Sequence, residues 1–510
     1  MSDRISSYLR PRLPDIVGGV TAAAIVVPQS LAYAQLAGMP ADRGLFAAAI
    51  PPLVAAPFLS SPYLQTGPTA VSALLTYGAL NTLAIPGTPH YIELGLLLAL
   101  LVGIIRVAVG FLKAGVLAHL MSQPLLVGFM PAAAIIIVAA QIPVFLGVEA
   151  PGKQDLVRAG WALTHVSSWH VEGTVIGVLV ILVLVIGRRL APAIPVTLIA
   201  VIVATVYGTL AGYTGAIVGQ IPARLPPVTT SLPLPQIRDL MVPALNIALV
   251  GFVEATTIAR TYAAIERRRW EPDREFISQG IANLGAGILG GFPVGASLAR
   301  SEVNRRAGAK TSLSSLVTGL AVLAFLPFAF LLSPLPRSVL AAIVIVTAAA
   351  LVRVDPVIRL ARLSLPQFLV AASTFVLTLA LTPHIEWAVL AGIGFTIGVH
   401  LWRELSLEVP SWADRDAIHL KPRGVLWFGT AARLQEDFLA RATERKELQR
   451  LVLHLDGLGR IDITGALALR EVLDEARLAG LEIEIIDVPP HLRRLVERVV
   501  TAADDPLRRP

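Results

Sequence analysis

The chain has 510 residues, of which 55% are hydrophobic and 15% are charged, and its mean hydropathy is +0.71. A soluble core does not need this much apolar sequence, so composition excludes an ordinary soluble protein and indicates a polytopic membrane protein over most of the length. The net charge is +7, but the arginines fall in short loops between apolar stretches, which is typical of cytoplasmic loops rather than of nucleic-acid binding. The chain has no cysteine, which excludes disulfides, thiolate metal sites and cysteine nucleophiles.

The first part of the chain predicts an uncleaved membrane span. Residues 1–15 are polar and basic, and a long apolar stretch begins at Ile16. Because this stretch lacks the short core and cleavage site of a signal peptide, we expect it to remain as the first segment.

About fourteen apolar segments follow one another, two of them too short to cross a bilayer, which takes about 20 helical residues. They are residues 16–36, 44–59, 66–80, 94–111, 125–145, 171–186, 192–211, 240–260, 276–290, 294–299, 313–332, 339–352, 365–381 and 385–402. The polar, proline-rich break 212–238 divides them seven and seven. An odd number in each half predicts two inverted repeats, at about 16–212 and 239–402.

Loop charges predict the orientation of these segments. Basic residues are concentrated after the even-numbered segments: Lys113, Arg188, Arg189, Arg260, Arg267, Arg268, Arg269, Arg274, Arg305, Arg306, Lys310, Arg353, Arg359 and Arg362. Because cytoplasmic loops carry an excess of arginine and lysine, both termini are predicted to be cytoplasmic.

Two interrupted segments, one in each half, predict the functional site. Residues 66–70 read TGPTA before a short apolar run, and residues 292–311 read FPVGASLARSEVNRRAGAKT. Irregular backbone at membrane depth survives only where protein buries it or where it lines a watery cavity. A helix N-terminus carries about half a positive charge and unpaired N–H groups, so two such termini facing one cavity predict an anion site.

Polar residues in the first segment are candidates to face this cavity. Pro28, Gln29 and Ser30 lie near mid-membrane, and Gln29 shares a helix face with Tyr33. The alternative is a proline kink whose freed carbonyl is met by Ser30, and both interpretations can hold together.

Charged residues within apolar segments are the next candidates. Glu254 lies in a long apolar run, and an acidic group at a helix centre costs roughly 2.5–3.5 kcal/mol to insert, so such groups face a cavity or a partner. Neutralisation of Glu254 by a proton or sodium ion would couple cation and anion binding; a structural ion pair with Arg300 is the alternative. Arg300 itself either adds positive charge to the cavity or is a cytoplasmic loop arginine. Arg106 is predicted to snorkel toward the inner surface.

The chain changes character after Trp402. Residues 423–429, 451–455 and 482–486 predict strands, and 432–445 and 464–478 predict helices, which gives a small α/β domain. Asp462 or Thr464 can cap the second helix, and the Thr464 hydroxyl is also a candidate phosphorylation point. The histidines show no metal-ligand spacing, and no nucleotide-binding motif appears, which argues against an ATP-driven pump.

Several of these stretches together resemble the SulP family of anion transporters, the sulfate permease relatives that include prestin and pendrin, and specifically a bacterial member. They are VPQSLAYAQLAGMPADRGLFAA, TGPTAVSALL, FVEATTIART, FPVGASLARSEVNRRAGAKTSLSS and a terminal segment with IDITG that is similar to a STAS domain. The resemblance implies an all-α membrane domain of fourteen segments in two inverted repeats, divided into core and gate, followed by a cytoplasmic α/β STAS domain.

The resemblance also implies the site residues. Gln29 and Tyr33 match first-segment site positions, and Glu254 matches the acidic eighth-segment position of cation-coupled bacterial members. The remaining matches are Gly67, Pro68, Thr69 and Ala70 in the third segment and Ser297, Ala299 and Arg300 in the tenth. Ala299 stands where many animal members have serine, which removes one hydroxyl. Thr464 stands where related domains carry a phosphorylatable serine.

The function expected from residues and resemblance is secondary active transport of a small anion by alternating access, coupled to H⁺ or Na⁺ and not enzymatic. Sulfate, bicarbonate and small dicarboxylates remain open as substrates. The alternatives are an anion exchanger or channel, and an anion sensor that signals through the STAS domain without transport. A nucleobase permease of the same general fold is disfavoured by the soluble terminal domain and the basic tenth segment.

The expected organisation is a cytoplasmic N-terminus at 1–15, a transporter domain at 16–402, and a linker with the STAS domain at 403–510. No cofactor, resident metal or nucleic acid is expected. The expected partners are the anion, the coupling cation, membrane lipid, a second copy of the chain in a homodimer, and a regulatory protein at the STAS domain. The expected location is the cell membrane, the inner membrane where there are two.

Overall fold

The computed structural model describes residues 13–115, 122–152, 154–190, 195–229, 231–267, 269–352, 355–404, 407–414, 416–444 and 449–500. Most of the predicted N-terminal segment, the loop residues Arg268 and Arg353, and residues 501–510 of the predicted terminal domain lie outside these ranges. The chain divides into two compact units between Gly394 and Phe395.

The first half of the membrane unit contains eight helices and one short strand among the described residues. They are α1 (Leu13–Leu36), α2 (Ala41–Ala55), β1 (Thr66–Gly67), α3 (Ala70–Leu80), α4 (Pro89–Phe111), α5 (Gln123–Leu146), α6 (Asp155–Thr164), α7 (Val171–Leu190) and α8 (Val196–Leu210). Polar caps begin several of them: the Thr88 hydroxyl accepts from the N–H of Tyr91 at the start of α4, and Ser122 caps α5 in the same way.

The second half has the same pattern. It contains α9 (Ile237–Ile265), α10 (Pro272–Ile288), β2 (Gly295–Ala296), α11 (Leu298–Arg306), α12 (Leu313–Phe325), α13 (Arg337–Ala349), α14 (Asp355–Leu363), α15 (Leu365–Ala380) and α16 (Ile385–Glu404). Between the halves, the described residues from 211 to 233 form no helix, and Ile217 makes an isolated bridge with Pro336.

The helix count agrees with the fourteen predicted segments once α6 and α14, which are too short to span and lie between spans, are set aside. Six helices of the described chain are long and apolar enough to cross a bilayer, at Leu13–Leu36, Pro89–Phe111, Gln123–Leu146, Leu234–Ile265, Leu313–Leu332 and Ile385–Trp402, and five more are apolar but shorter. The predicted all-α membrane domain is therefore confirmed.

The most extensive helix contacts form two sets, which meet where α13 packs on α1. In one, α10 lies along α4, and α12 packs on α1 and α2; in the other, α13 and α15 pack on α5, and α7 packs on α13. Glycines permit the closest approach of α4 and α10, because a Cβ on Gly103 would lie 2.8 Å from Leu284 and 2.9 Å from the carbonyl oxygen of Gly280.

The second unit is an α/β domain with its own apolar core. A four-stranded sheet has the order β3 (Ser411–Ala413), β4 (Ala417–Leu420), β6 (Arg450–His454) and β8 (Glu482–Ile486), with β3 antiparallel to β4 and the other pairs parallel. A separate parallel pair joins β5 (Gly424–Leu426) to β7 (Leu458–Ile461). Helices α17 (Phe428–Glu444) and α18 (Ile463–Leu478) complete it, followed by short turns at Arg493–Leu495 and Val496–Val500.

The predicted α/β class of this domain is confirmed, and β8 and α18 lie where the sequence places them. The sequence missed β3, β4 and β7, because strands of three or four residues are too short to show a period of two. The helix cap is Asp462, whose Oδ1 accepts from the N–H of Gly465 at 2.6 Å. Thr464 lies exposed in the first turn and is not the cap.

Candidate anion-binding site

The tips of the two interrupted segments meet through a short antiparallel pair. Thr66 of β1 is opposite Ala296 of β2, and Gly67 is opposite Gly295. The Ser297 N–H extends this pairing by donating to the carbonyl oxygen of Gln65 at 3.0 Å. Helices α3 and α11 begin immediately after these strands, so the pairing places their N-termini side by side.

Each of these N-termini has a hydroxyl cap and still presents free amides. Thr69 and Ser72 form a reciprocal capping box at α3, and Ser297 Oγ accepts from the Arg300 N–H at 3.4 Å at α11. The first two N–H groups of each helix, those of Ala70, Val71, Leu298 and Ala299, form no hydrogen bond with a described residue. Such amides, with the helix dipoles behind them, favour an anion.

Arg300 joins the two tips and is almost completely buried, with 1% of its surface exposed. Its Nη1 donates to the carbonyl oxygen of Pro68 at 2.8 Å and to Gln29 Oε1 at 3.4 Å. Its Nη2 is buried without a hydrogen-bond partner among the described residues, beside Gly67, where a Cβ would lie 3.3 Å away. Arg300 is therefore not an exposed loop arginine: it lies buried at the paired tips, with Nη2 lacking a hydrogen-bond partner among the described residues.

The first helix supplies the polar face that the sequence predicts. Gln29 and Tyr33 of α1 are 4% and 6% exposed, and Tyr33 interacts electrostatically with Arg300. The predicted alternative role of Ser30 is wrong in detail: its hydroxyl donates to the carbonyl oxygen of Val27 at 2.7 Å. The carbonyl that Pro28 frees is that of Ala24, one turn earlier.

Glu254 of α9 lies beside the crossing, by which we mean the point where β1 and β2 pair and α3 and α11 begin. A Cβ on Gly295 would lie 3.9 Å from Glu254 Oε2. The carboxylate forms no hydrogen bond or ion pair with a described residue, but it interacts electrostatically with Arg106 and Arg300. The alternative of a direct ion pair with Arg300 is therefore not realised in this structure.

Arg106 of α4 does not snorkel, and that prediction is wrong. It is completely buried, and three of its nitrogens donate to backbone carbonyls: Nε to Ala248 at 3.1 Å, Nη2 to Ile247 at 2.9 Å, and Nη1 to Val294 at 3.1 Å. The sequence showed an arginine seven residues before Lys113, which suggested a route to the surface. It did not show the unoccupied carbonyl lone pairs that hold the guanidinium inside.

The sequence also missed the buried amides that hold the approach to β1 and β2. Asn283 of α10 accepts from the Val294 N–H at 2.9 Å and donates to the Val294 carbonyl oxygen at 3.1 Å. Gln279, one turn earlier, donates to Thr66 Oγ1 at 2.9 Å. With Glu275 these residues form a buried polar row at intervals of four. That spacing was the available signal, since polar residues inside a membrane helix rarely face lipid.

Comparison with known proteins agrees with this architecture. The model of the Sulfate permease family matches residues 13–374, and a STAS domain model matches residues 413–504. A probable sulfate transporter of Mycobacterium tuberculosis is 30% identical over 505 residues, covering 94% of this chain and 90% of that protein.

The chain belongs to the Sulfate permease family. Members of this family are membrane anion transporters, not enzymes, so the recognition of family and class from the sequence is confirmed. Two solved structures share the fold. The murine anion transporter Slc26a9 in its inward-facing state has a TM-score of 0.88 at 22% identity, covering 97% of this chain and 89% of that one. The transmembrane domain of the cyanobacterial bicarbonate transporter BicA has a TM-score of 0.64 at 23% identity, covering 76% and 97%.

Proposed function

We propose that this sulfate permease family member is a secondary active transporter of a small oxyanion, with sulfate as its main substrate and bicarbonate or a small dicarboxylate as the other candidates. The observation that carries the proposal is the buried, unpartnered Nη2 of Arg300 beside two capped helix N-termini. A buried donor without a partner costs about 1–3 kcal/mol, and an oxyanion supplies several acceptor oxygens to such a group.

The proposed substrate-binding residues are those that surround this donor. Arg300 and the amides of Ala70 and Ala299 contact the anion, Gln29 and Tyr33 close the side formed by α1, and the crossing is shaped by Gly67, Pro68, Thr69 and Ser297. Sulfate is favoured by the probable function of the mycobacterial relative. Bicarbonate stays a candidate because a bicarbonate transporter shares the fold.

The proposed coupling residue is Glu254. Arg106 and Arg300 both act electrostatically on Glu254, and the formal charges of these three groups sum to +1. A dianion such as sulfate would bring that sum to −1, and neutralisation of Glu254 by one proton or sodium ion would restore zero. Transport of sulfate with one cation and of a monovalent anion without one follows from this charge balance, because net charge is expensive to move through lipid.

The proposed setting is the cell membrane, with both termini cytoplasmic and the chain assembled as a homodimer. Alternating access would follow from movement of the helix group that carries the site against the group around α5 and α13. Because the chain has no cysteine, Ser167→Cys and Glu471→Cys each introduce a single thiol for topology tests. An impermeant maleimide should label Ser167→Cys from outside and Glu471→Cys only after lysis; the reverse pattern contradicts the orientation.

Uptake into proteoliposomes tests the transport function. We expect saturable uptake of labelled sulfate that rises with an inward proton or sodium gradient, and a Glu254→Gln variant that binds sulfate without this dependence. Glu149→Gln, an exposed loop carboxylate, is the matched control and should behave as wild type. Saturable binding without uptake would instead support the sensor, and uptake that requires a second anion inside would support the exchanger.

A further inference from the structure

Arg106 contributes charge near the site, but its guanidinium is bonded to the backbone rather than available to the substrate. Its three bonded nitrogens all face backbone carbonyls, and among the described residues no carboxylate lies within ion-pair distance of it. A charged side chain at membrane depth is expensive and marks a functional interaction or a partner. Glu254 lies close by: Arg106 Nη1 donates to the carbonyl oxygen of Val294, and a Cβ on the next residue, Gly295, would lie 3.9 Å from Glu254 Oε2.

The local structure is built around this arginine. The carbonyls of Ile247 and Ala248 belong to α9, where each can accept a second hydrogen bond through its other lone pair. Gly251, one turn later, leaves the space open: a Cβ there would lie 2.4 Å from Arg106 Nη2. The third acceptor, Val294, precedes β2. Arg106 therefore ties the helix that carries Glu254 to the tip of the segment that carries Arg300.

We propose that Arg106 is a positioning residue for cation coupling: it holds α9 against the β2 tip and supplies a fixed positive charge that opposes neutralisation of Glu254 by the coupling cation. This inference rests on the proposed transport function and assigns a residue to its regulation. The charged groups that act on Glu254 are Arg106 from α4 and Arg300 from α11; α10 contributes the neutral Asn283, and α1 contributes Tyr33, which acts on Arg300.

The role of Arg106 has two parts that substitutions can separate: its positive charge and its hydrogen bonds to three backbone carbonyls. Arg106→Gln removes the charge, so Glu254 should attract the coupling cation more strongly. Half-maximal sulfate uptake should then occur at roughly tenfold lower proton or sodium concentration, which for protons is about one pH unit higher, as expected for the loss of one nearby opposite charge. Arg106→Lys keeps the charge but cannot reach all three carbonyls. It should lower the uptake rate while leaving the cation concentration at half-maximum unchanged.

Gly251→Ala is a second test that alters no charge. The added Cβ must push the guanidinium away, so we expect a shift in the same direction as Arg106→Gln but smaller. Gly160→Ala in α6, where a Cβ meets nothing within 4 Å, is the matched control and should leave uptake unchanged. In a Glu254→Gln background, Arg106→Gln should produce no shift, since the group it acts on is gone.

The experiment is sulfate uptake into proteoliposomes across a series of pH values and sodium concentrations, with each variant checked for a single monodisperse peak. A shift with Arg106→Gln or Gly251→Ala that disappears in the Glu254→Gln background supports the inference. Cation-dependent uptake with an unshifted half-maximum in both variants overturns it and leaves the transport function intact. If Arg106→Gln does not fold, Gly251→Ala decides by the same criterion, and Arg106→Lys should lower the uptake rate without shifting the half-maximum. Wild-type protein without saturable uptake overturns the proposed function itself.

Discussion

Charge is used in opposite ways in the membrane unit and in the STAS domain. Arg300 and Arg106 are buried, and neither forms an ion pair with a described residue; their donors face backbone carbonyls, an amide and one open position. In the STAS domain, Lys421 Nζ donates to Asp456 at 2.7 Å and Arg450 pairs with Asp416 at 3.1 Å, all at the surface. The comparison teaches that a surface cation is neutralised by its carboxylate partner. A buried cation held only by neutral groups is not neutralised and keeps its affinity for an anion.

The largest effect is expected from Arg300→Gln. The glutamine removes the charge and the free Nη2 at the crossing, so sulfate binding should weaken by about 100-fold, the scale of one strong charge-assisted hydrogen bond. Titration of purified protein with sulfate measures this. Arg306→Gln at the end of α11, where the arginine is exposed and paired with Glu302, is the control. Equal weakening in both variants would mean that general positive charge, not the buried donor, sets affinity.

A smaller effect is expected from Asn283→Ala, which tests the neutral framework. The substitution leaves the Val294 N–H without a partner, while the Val294 carbonyl keeps its hydrogen bond from Arg106, and the free energy of unfolding should fall by about 2 kcal/mol for the unpaired buried donor. Thermal unfolding in detergent measures the loss. Added sulfate should raise the unfolding temperature of the variant less than it raises that of the wild type. An unchanged unfolding temperature would show that Val294 is held by Arg106 alone.

In the STAS domain, we expect Asp462→Ala to lower stability by about 1 kcal/mol, because the carboxylate caps α18. Thr464→Ala, two residues on, should have no such effect, since Thr464 is exposed and does not cap. The second transition in a thermal scan of the full chain would report the difference. A larger loss with Thr464→Ala would reverse the assignment of the cap.

The smallest effect is expected from Lys421→Ala. The hydrogen bond from Lys421 holds the pKa of Asp456 below its usual value. The bond therefore contributes stability at pH values above the pKa of Asp456 in the unfolded chain, and this contribution is lost as the pH falls through the lower pKa of Asp456 in the folded chain. Both groups are at the surface, where such pairs contribute little. We expect the same unfolding temperature as wild type at neutral pH. A clearly lower unfolding temperature would show that this surface pair contributes substantially to stability.

Much of the membrane fold could be predicted because hydropathy and length set the number of spans. The glycine and proline breaks at residues 66–70 and 292–295 marked the two tips, since such breaks need cavity or protein around them. The β1–β2 register and the hydrogen bond from Arg300 to Pro68 could not be predicted: they join residues more than two hundred positions apart, and no local pattern records such a contact.

The errors have the same origin. The sequence neighbours of Arg106 include Lys113 and predict a position near the surface, whereas its partners lie on α9 and before β2. The alternative ion pair between Glu254 and Arg300 does not form, because Arg300 is turned toward Pro68 and Gln29. The short strands of the STAS domain depend on neighbours across the sheet, so no local sequence pattern identifies them either.

The central claim is that an anion binds at Arg300 between the tips of α3 and α11. A structure determined with selenate, a sulfate analogue visible through its selenium, tests this most directly. We predict selenate oxygens within hydrogen-bonding range of Arg300 Nη2 and of the amides of Ala70 and Ala299. Selenate bound elsewhere in the membrane unit, with that position empty at a saturating concentration, would contradict the account.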